Sequence, residues 1–164
     1  MSGEKKPPAD ELLRLLESYR TASLATVNAS GAPQVSYVPV AVDEDRRFLF
    51  FVSELAEHTP NLRANPLASL MLIDDEEKSS QLFARNRLTL NGEVALIARD
   101  SPGWEPAAAC YRERFGKFFD MLCGLPDFHM FCLVPSDVRL VLGFGSAYQV
   151  TGPEWEELTL LTGR

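Results

Sequence analysis

The sequence predicts a small, closed antiparallel β-barrel of about six strands with two or three helices packed outside it. The first observation is that TASLATV, PQVSYVPVAV and FLFFVS are separated only by the turn signals NASG and DEDRR. Such spacing favours antiparallel pairing, since parallel strands need a long crossover between them. The second observation is the small size of the sheet, because six strands leave exposed edges unless the sheet closes on itself.

The helices follow from apolar spacing and from chain breakers. Residues 9–19 carry four leucines at helical spacing, with acids early and arginines later. This pattern predicts an amphipathic helix whose charge order suits its dipole. A second helical region runs from Pro102 to about Leu122, and we expect breaks near Gly103 and Gly116.

Apolar runs predict the remaining strands. Pro39 indicates an edge position or a bulge, because proline donates no ladder hydrogen bond. LASLMLI is typical of a buried strand and leads into the charged loop DDEEKSS. RLTLNGEVALIA predicts a long strand with a bend at Gly92. FHMFCLVPSDVRLVLGFGSAYQV supplies two or three last strands, and GPEWEELTLLTGR is read as a short acidic tail.

Composition limits the class of protein. We expect a flexible polar lead at 1–8 and a single domain at 9–164. There is no run of about twenty apolar residues, and MSGEKKPPAD lacks the apolar centre of a secretory signal, so we expect a cytoplasmic protein without a membrane span. A net charge of −7 argues against nucleic acid as the main partner, but a local basic patch could still hold an anionic cofactor.

The stretch FVSELAEHTPNLRANP, residues 51–66, gathers groups suited to an anion. One interpretation is purely structural: a helix starts near Ser53 or Glu54, and Ser53 caps it. The other is that helix N-terminal amides, the Ser and Thr hydroxyls and His58 converge on a phosphate. Spacing alone does not separate the two.

Two further motifs leave similar alternatives. Arg85 and Arg87 would point to one face of a strand, where they bind an anion or pair with the acids of DDEEKSS. Gly143 and Gly145 flank Phe144, which indicates close approach to a flat ligand or another subunit, or only a tight bend. No spacing supports a Ser–His–Asp or Cys–His arrangement.

Together, TASLATVNASGAPQVSYVPV, LFFVSELAEHTPNLRANPLASLML, QLFARNRLTLNGEV, RFGKFFDML and GFGSAYQV resemble the FMN-binding split-barrel superfamily of pyridoxamine phosphate oxidase. The likeness covers roughly residues 10 to 152 and is greatest to the haem-utilisation branch. It implies a six-stranded antiparallel split β-barrel with peripheral helices. It also implies a homodimer whose cofactor lies in a groove between the subunits.

The resemblance also implies which residues contact the cofactor. Ser36 and Tyr37 would run beside the flavin ring, and the GFG segment would approach the cofactor or the partner subunit. Helix-start and arginine residues would lie at or near the phosphate. The predicted cofactor-binding residues are Ser36, Tyr37, Ser53, His58, Thr59, Asn61, Arg85, Arg87 and Phe144.

Two departures from the family pattern decide between cofactors. The Arg- and Trp-bearing C-terminal stretch that binds pyridoxal phosphate in the oxidases is not found in ELTLLTGR. The haem-degrading members bind iron through a histidine in a C-terminal extension, and neither His58 nor His129 occupies that place. Asp127 matches an acid that supports the iron-bound histidine in those proteins. We therefore expect FMN rather than haem.

The sequence thus predicts an FMN-dependent oxidoreductase, homodimeric and cytoplasmic, that acts with a small-molecule electron donor or substrate. The first alternative is a haem-binding or haem-degrading protein that uses the same groove. The second is a non-enzymatic flavin-binding sensor or storage protein, because a fold alone does not fix chemistry.

Overall fold

A computed structural model describes residues 6–162 of the chain. The predicted lead at 1–8 falls partly outside these residues, and the first helix already begins at Pro8. The helices are α1 Pro8–Ser18, α2 His58–Ala64, α3 Trp104–Phe115 and α4 Lys117–Cys123. The strands are β1 Thr21–Val27, β2 Pro33–Pro39, β3 Ala41–Val42, β4 Phe48–Ser53, β5 Leu67–Ile73, β6 Arg87–Ile97, β7 Phe128–Val141, β8 Ala147–Thr151 and β9 Glu157–Leu160.

All strand pairs are antiparallel, and the main path of the sheet runs β2-β1-β5-β6-β7-β4-β3. The long strand β7 pairs with β6 along one edge. Its other edge is divided, because residues 128–133 pair with β4 and residues 138–141 pair with β8. This confirms the predicted antiparallel split barrel. The described part of the chain has nine strands rather than six, since β3 adds a two-residue ladder and β8 and β9 extend the sheet beyond β7, with the acidic tail forming β9.

The two ends of the sheet path are neighbours in the chain. Strands β2 and β3 are separated only by Val40, whose amide donates to the Arg20 carbonyl at 2.9 Å. Residues 33–42 therefore pair with β1 first and with β4 afterwards, which curls the sheet round. Pro39 is the last residue of β2, which lies at one end of the sheet path and so agrees with the predicted edge position.

The sheet encloses one core and supports a second on its outside. The first core contains the inward side chains of most strands and the buried leucines Leu12, Leu15 and Leu16 of α1. The second lies between α3 and α4 and the outer side of β3, β4 and the start of β7. As predicted, the helical region breaks at Gly116, where φ is 61°.

A β-bulge divides β6 and β7, as the bend predicted at Gly92 requires. Asn91 lies opposite Asp137 and Gly92 lies opposite Pro135, so Ser136 is the extra residue. A Cβ atom at Gly92 would lie 2.1 Å from the Val134 carbonyl oxygen. Only glycine allows the two backbones to approach this closely.

An ion-pair network anchors α1 to the end of β5. Asp74 is buried and accepts hydrogen bonds from both Nη atoms of Arg14, at 2.9 and 2.7 Å, and from the Tyr19 hydroxyl at 2.7 Å. Burial alone would raise the pKa of Asp74, but these hydrogen bonds outweigh it and hold the pKa below its ordinary value.

The rest of the outer sheet surface, here called the open face, carries no helix that belongs to a core. Its side chains point outward from β2, β1, β5, the start of β6 and the end of β7. The open face consists of Val35, Tyr37, Ser23, Ala25, Ser69, Met71, Arg87, Thr89, Asn91, Asp137 and Arg139.

No helix between residues 6 and 162 is both long enough and apolar enough to cross a membrane.

Candidate cofactor site

The stretch 51–66 forms a strand, a tight turn and a short helix. Strand β4 ends at Ser53 and α2 begins only at His58. The predicted helix start at Ser53 or Glu54 is therefore wrong, and so is the predicted cap, because the residue before α2 is Glu57 and its side chain makes no capping bond. The Ser53 hydroxyl instead accepts from the Leu55 amide at 3.1 Å, within the turn.

Ser53 is the centre of a small polar rim at the end of the barrel. Its hydroxyl donates to Asp127 Oδ2 at 2.7 Å, and its carbonyl accepts from the Thr59 hydroxyl at 2.6 Å. The Glu54 amide also donates to the Asp127 carbonyl, at 2.8 Å. These bonds hold the end of β4, the start of α2 and the turn before β7 together.

His58 joins α2 to β2. Its Nδ1 lies 2.9 Å from the Ser36 hydroxyl, and the residue is only 7% exposed. Its Nε2 is enclosed and has no hydrogen-bond partner among the described residues. Burial lowers the pKa of His58, since a charged imidazole would lose its hydration there.

Asn61 completes the inner side of the rim. Its amide nitrogen donates to the Thr26 hydroxyl at 3.1 Å and to Gln34 Oε1 at 2.6 Å. Gln34 in turn donates to the Glu57 carboxylate. The structure therefore brings together four of the predicted residues, Ser36, His58, Thr59 and Asn61. Hydrogen bonds among these residues and to their neighbours hold them in place.

The two arginines do not share one strand face. Arg87 is the first residue of β6, whereas Arg85 precedes the strand, so the predicted common face is wrong for Arg85. Arg85 donates through Nε and Nη2 to the Asp74 carbonyl, and its Nη1 lies 3.4 Å from Glu76 Oε1. Its pairing with the DDEEKSS segment is thus confirmed. Within the described part of the chain the Arg87 side chain makes one hydrogen bond, from Nη1 to the Arg85 carbonyl at 3.1 Å.

Phe144 stands at the tip of a tight turn between β7 and β8. Gly143 and Gly145 have φ values of 86° and 68°, and the Leu142 amide donates to the Ser146 carbonyl at 2.8 Å. The tight bend is therefore confirmed, and it leaves the phenyl ring 68% exposed. Phe144 and Arg85 both line a cavity of about 350 Å³ beside the 78–81 loop.

The nine predicted residues lie in three places on one chain. Ser36, Ser53, His58, Thr59 and Asn61 lie at the rim, while Arg85 and Phe144 line the cavity. Tyr37 and Arg87 are on the open face, on β2 and β6, which are three strand steps apart, or about 14 Å. Contact of these residues with a cofactor stays a prediction.

The structure adds a charged cluster that sequence spacing could not reveal. Glu54 accepts from Arg63 at 3.0 Å and lies 2.8 Å from His129 Nε2. Hydrogen bonds from Arg63 and His129 lower the pKa of the exposed Glu54 carboxyl. The partners are 9 and 75 residues away in the sequence, so only the pairing of β4 with β7 brings His129 to this place.

The fold and the rim together define an antiparallel split-barrel protein with an open sheet face. The chain belongs to the pyridoxamine 5'-phosphate oxidase family, whose model matches residues 8–142. This confirms the family likeness stated from the sequence.

Two individual relatives are similar to most of this chain. The chain is 42% identical over 144 residues to the heme oxygenase HutZ of Vibrio cholerae, covering 88% of this chain and 81% of HutZ. It is 31% identical over 147 residues to the chloroplastic heme oxygenase HOZ of Arabidopsis thaliana, covering 88% of this chain but only 43% of HOZ.

Solved structures agree with the sequence comparison. A crystal structure of HutZ, described as a haem storage protein, superimposes with a TM-score of 0.79 at 36% identity, over 83% of this chain and 96% of HutZ. Campylobacter jejuni ChuZ superimposes with a TM-score of 0.81 at 25% identity, over 96% of this chain and 64% of ChuZ.

These relatives correct the main functional interpretation of the sequence. The prediction of an FMN-dependent oxidoreductase is wrong, because the relatives at 42% and 31% identity are named as haem oxygenases. The haem alternative agrees with them better. The likeness to the haem-utilisation branch was visible in SELAEHTPNL and FARNRLT, but the choice of cofactor relied on a missing histidine.

Proposed function

We propose that this chain binds haem in a groove between two copies of itself. The observation that carries the proposal is the 42% identity with a haem oxygenase over 88% of the chain.

Haem is a flat apolar ring with two carboxylates. The open face and the turn at Phe144 offer exposed apolar groups for the ring, and Arg87 offers a guanidinium for a carboxylate. Val35 and Tyr37 are 73% and 66% exposed on β2, and Phe144 is exposed on its turn. Arg87 has guanidinium donors beyond its single described bond, and a guanidinium suits a carboxylate. The residues present therefore fit haem, which in the bound protein would supply the redox-active iron.

Of the two imidazoles, His129 is the one to test as an iron ligand. The Nε2 atom of His58 is enclosed, whereas the His129 side chain is 23% exposed and pairs with Glu54. Replacement of His129 by Ala should shift the Soret band of bound haem if the imidazole coordinates iron. An unchanged spectrum at full haem loading would exclude His129.

The homodimer is part of the proposal, since the predicted cofactor residues lie in separate places on each chain. A second copy seated on the open face would bring the residues of one place on each chain towards those of another place on its partner. Sedimentation should give twice the 18.3 kDa chain mass. Tyr37→Glu should shift the protein to monomer, whereas Phe118→Glu, at a similarly exposed position on α4, should not.

Titration of the purified chain with haem tests the proposal directly. We expect a saturable Soret band at one haem per chain, and a parallel titration with FMN provides the comparison. Phe144→Ala should weaken haem binding about tenfold, since one lost apolar contact is worth about 1.4 kcal/mol. Phe118→Ala, with 64% exposure against 68%, is the matched control. Absence of saturable haem binding would refute the proposal.

Haem degradation is a second candidate, because two relatives are named as oxygenases. It needs dioxygen and electrons from an added reductant such as ascorbate. Loss of the Soret band under air with ascorbate, but not under argon, would support it. A stable spectrum in both gases would leave haem binding as the function.

A further inference from the structure

His58 is a buried histidine with an incomplete set of hydrogen bonds. Its Nδ1 is paired with Ser36, but its Nε2 is shielded from solvent and has no partner among the described residues. Buried polar atoms in folded proteins are nearly always paired, so an unpaired one calls for a physical explanation. A neutral ring tolerates this surrounding at a modest cost, whereas a charged ring does not.

The elements around His58 offer no counter-charge. Strands β1, β2 and β4, with the sequences TASLATV, PQVSYVP and FLFFVS, contain no acidic or basic residue. Their one titratable side chain, Tyr37, points to the opposite face of β2 from Ser36. His58 also begins α2, where the helix dipole disfavours a positive charge.

The charged groups of α2 and the preceding turn are already engaged. Glu57 accepts a bond from Gln34, and Glu54 is shared between Arg63 and His129. Arg63 itself would repel a second cation. A proton on His58 would therefore create a buried positive charge with no partner.

The first turn of α2 connects two strands that do not pair with each other. His58 reaches Ser36 on β2, and the adjacent Thr59 donates to the Ser53 carbonyl at the end of β4. Ser53 in turn holds Asp127. Displacement of His58 would remove its contact with Ser36 and loosen the rim, where only the bonds of Gln34 with Asn61 and Glu57 would still join β2 to α2.

We propose that His58 is an acid-sensitive latch: the neutral ring holds α2 on β2, and the protonated ring leaves its pocket, opens the rim and lowers haem affinity. The part that concerns haem rests on the proposed function, whereas the opening of α2 does not. His58 is thus a positioning residue that acts through Ser36 and the rim.

The direction of the pH effect follows from the lowered pKa of His58 in the folded protein. Above its ordinary value of 6.5 the ring is neutral whether the rim is closed or open, so pH has no effect. Below 6.5 only the open form gains a proton, and the open fraction rises by up to about tenfold per pH unit. The rise ends once the pH falls below the lowered pKa.

Hydrogen exchange on the haem-free protein tests the latch. The Asn65 amide, which donates to the Asn61 carbonyl at 2.8 Å, reports on α2. Its protection factor should fall about fivefold between pH 6.5 and 5.5. His58→Gln, which is uncharged, should abolish this fall, and His129→Gln should keep it. A pH-independent protection factor, or a fall that persists in His58→Gln, would overturn the proposal.

A direct titration covers the case in which His58→Gln does not fold. The chain has two histidines, so the His129→Gln variant leaves one imidazole resonance for His58. That resonance should show a neutral His58 ring well below pH 6.5 while the protein is folded. Titration at the ordinary pKa, with Asn65 still protected, would refute the latch.

Haem titrations at two pH values separate this inference from the proposed function. We expect the Kd to rise from pH 6.5 to 5.5 in the wild type, by at most about fivefold, and to stay constant in His58→Gln. Failure to bind haem at pH 7.5 would refute the proposed function, and the exchange data would still decide on the latch. Binding that is strong and independent of pH would overturn the control of haem by His58.

Discussion

The outer surface of the sheet has two regions that differ in what covers them. On the outer side of β3, β4 and the start of β7, the helices α3 and α4 enclose a core rich in aromatic rings. Phe51 lies there with ring centroids 5.0 Å from Phe119 and 5.3 Å from Phe128. On the open face most side chains are small or polar, apart from Val35, Tyr37 and Met71, and a hydrogen-bonded row links Ser69, Asn91 and Asp137.

The difference shows how one curled sheet can separate stability from binding. Large rings that interlock under helices lose much free energy when truncated, because neighbours cannot fill the gap. Half-exposed polar side chains contribute little to folding and remain available to a partner or a ligand. We therefore expect substitutions in the two regions to affect different measurements.

The largest expected effect is on the helix-covered side. Phe119 is fully buried and makes edge-to-face contacts with Phe51 and Tyr111 at 5.0 Å. Phe119→Ala should lower the free energy of unfolding by about 3–5 kcal/mol. Urea denaturation followed by circular dichroism measures it, with Phe118→Ala on the same helix as the control. A loss below 1 kcal/mol would contradict the assignment of stability to this region.

Gly92→Ala should cause the next largest loss in the free energy of unfolding, because it places a methyl group in the bulge between β6 and β7. The new methyl group would meet the Val134 carbonyl at 2.1 Å, and overpacking of this kind costs about 1–3 kcal/mol. The same denaturation experiment applies. Gly31→Ala, where nothing lies within 4 Å but φ is positive, isolates the cost of backbone strain from that of contact.

Asp74→Asn should lower stability by about 2 kcal/mol, since hydrogen bonds to a buried charge are worth about 1.5–3 kcal/mol. The contribution also depends on pH. Because the pKa of Asp74 is lowered in the folded state, its stabilisation is present above the ordinary value of 3.8 and is lost as the pH falls below it. Denaturation of wild type and variant at pH 7 and pH 3 should give a difference that shrinks at pH 3.

Val35→Ala should have the smallest effect on folding. Val35 is 73% exposed on the open face, so the free energy of unfolding should change by less than about 0.5 kcal/mol when measured at fixed protein concentration. Sedimentation should nevertheless show weaker self-association. An effect on unfolding as large as that of Phe119→Ala would erase the contrast between the two regions.

Much of the fold was predictable because local patterns and tertiary structure agree. The leucines of α1, the break at Gly116 and the bend at Gly92 each have a local cause that the structure retains. The tail was not, because in 157–160 polar and apolar residues alternate on an exposed edge strand, which looks like a polar tail. Trp155 fixes it from the barrel side by stacking on Phe48 at 6.3 Å.

The grouping of Ser36, His58, Thr59 and Asn61 at the rim was predictable, but the contacts of the predicted residues were not. A serine before a helix suggests a cap, yet Ser53 is held by Asp127, which lies 74 residues further along the chain. Arg85 and Arg87 suggest a pair on one face, yet Arg85 turns back to the carbonyl of Asp74. In both cases a distant partner outweighs the local preference, and spacing does not record distant partners.

The extra residue Ser136 determines which side chains of β7 point into the first core. Before it, Phe131 and Leu133 point into the first core, and after it Val138 and Leu140 do, although 133 and 138 differ by an odd number. Deletion of Ser136 would exchange the two sides of the earlier half, so that Met130 would face the barrel interior. Single-residue deletions should therefore be far less tolerated at this position than in the exposed 75–81 loop, whatever residue is removed.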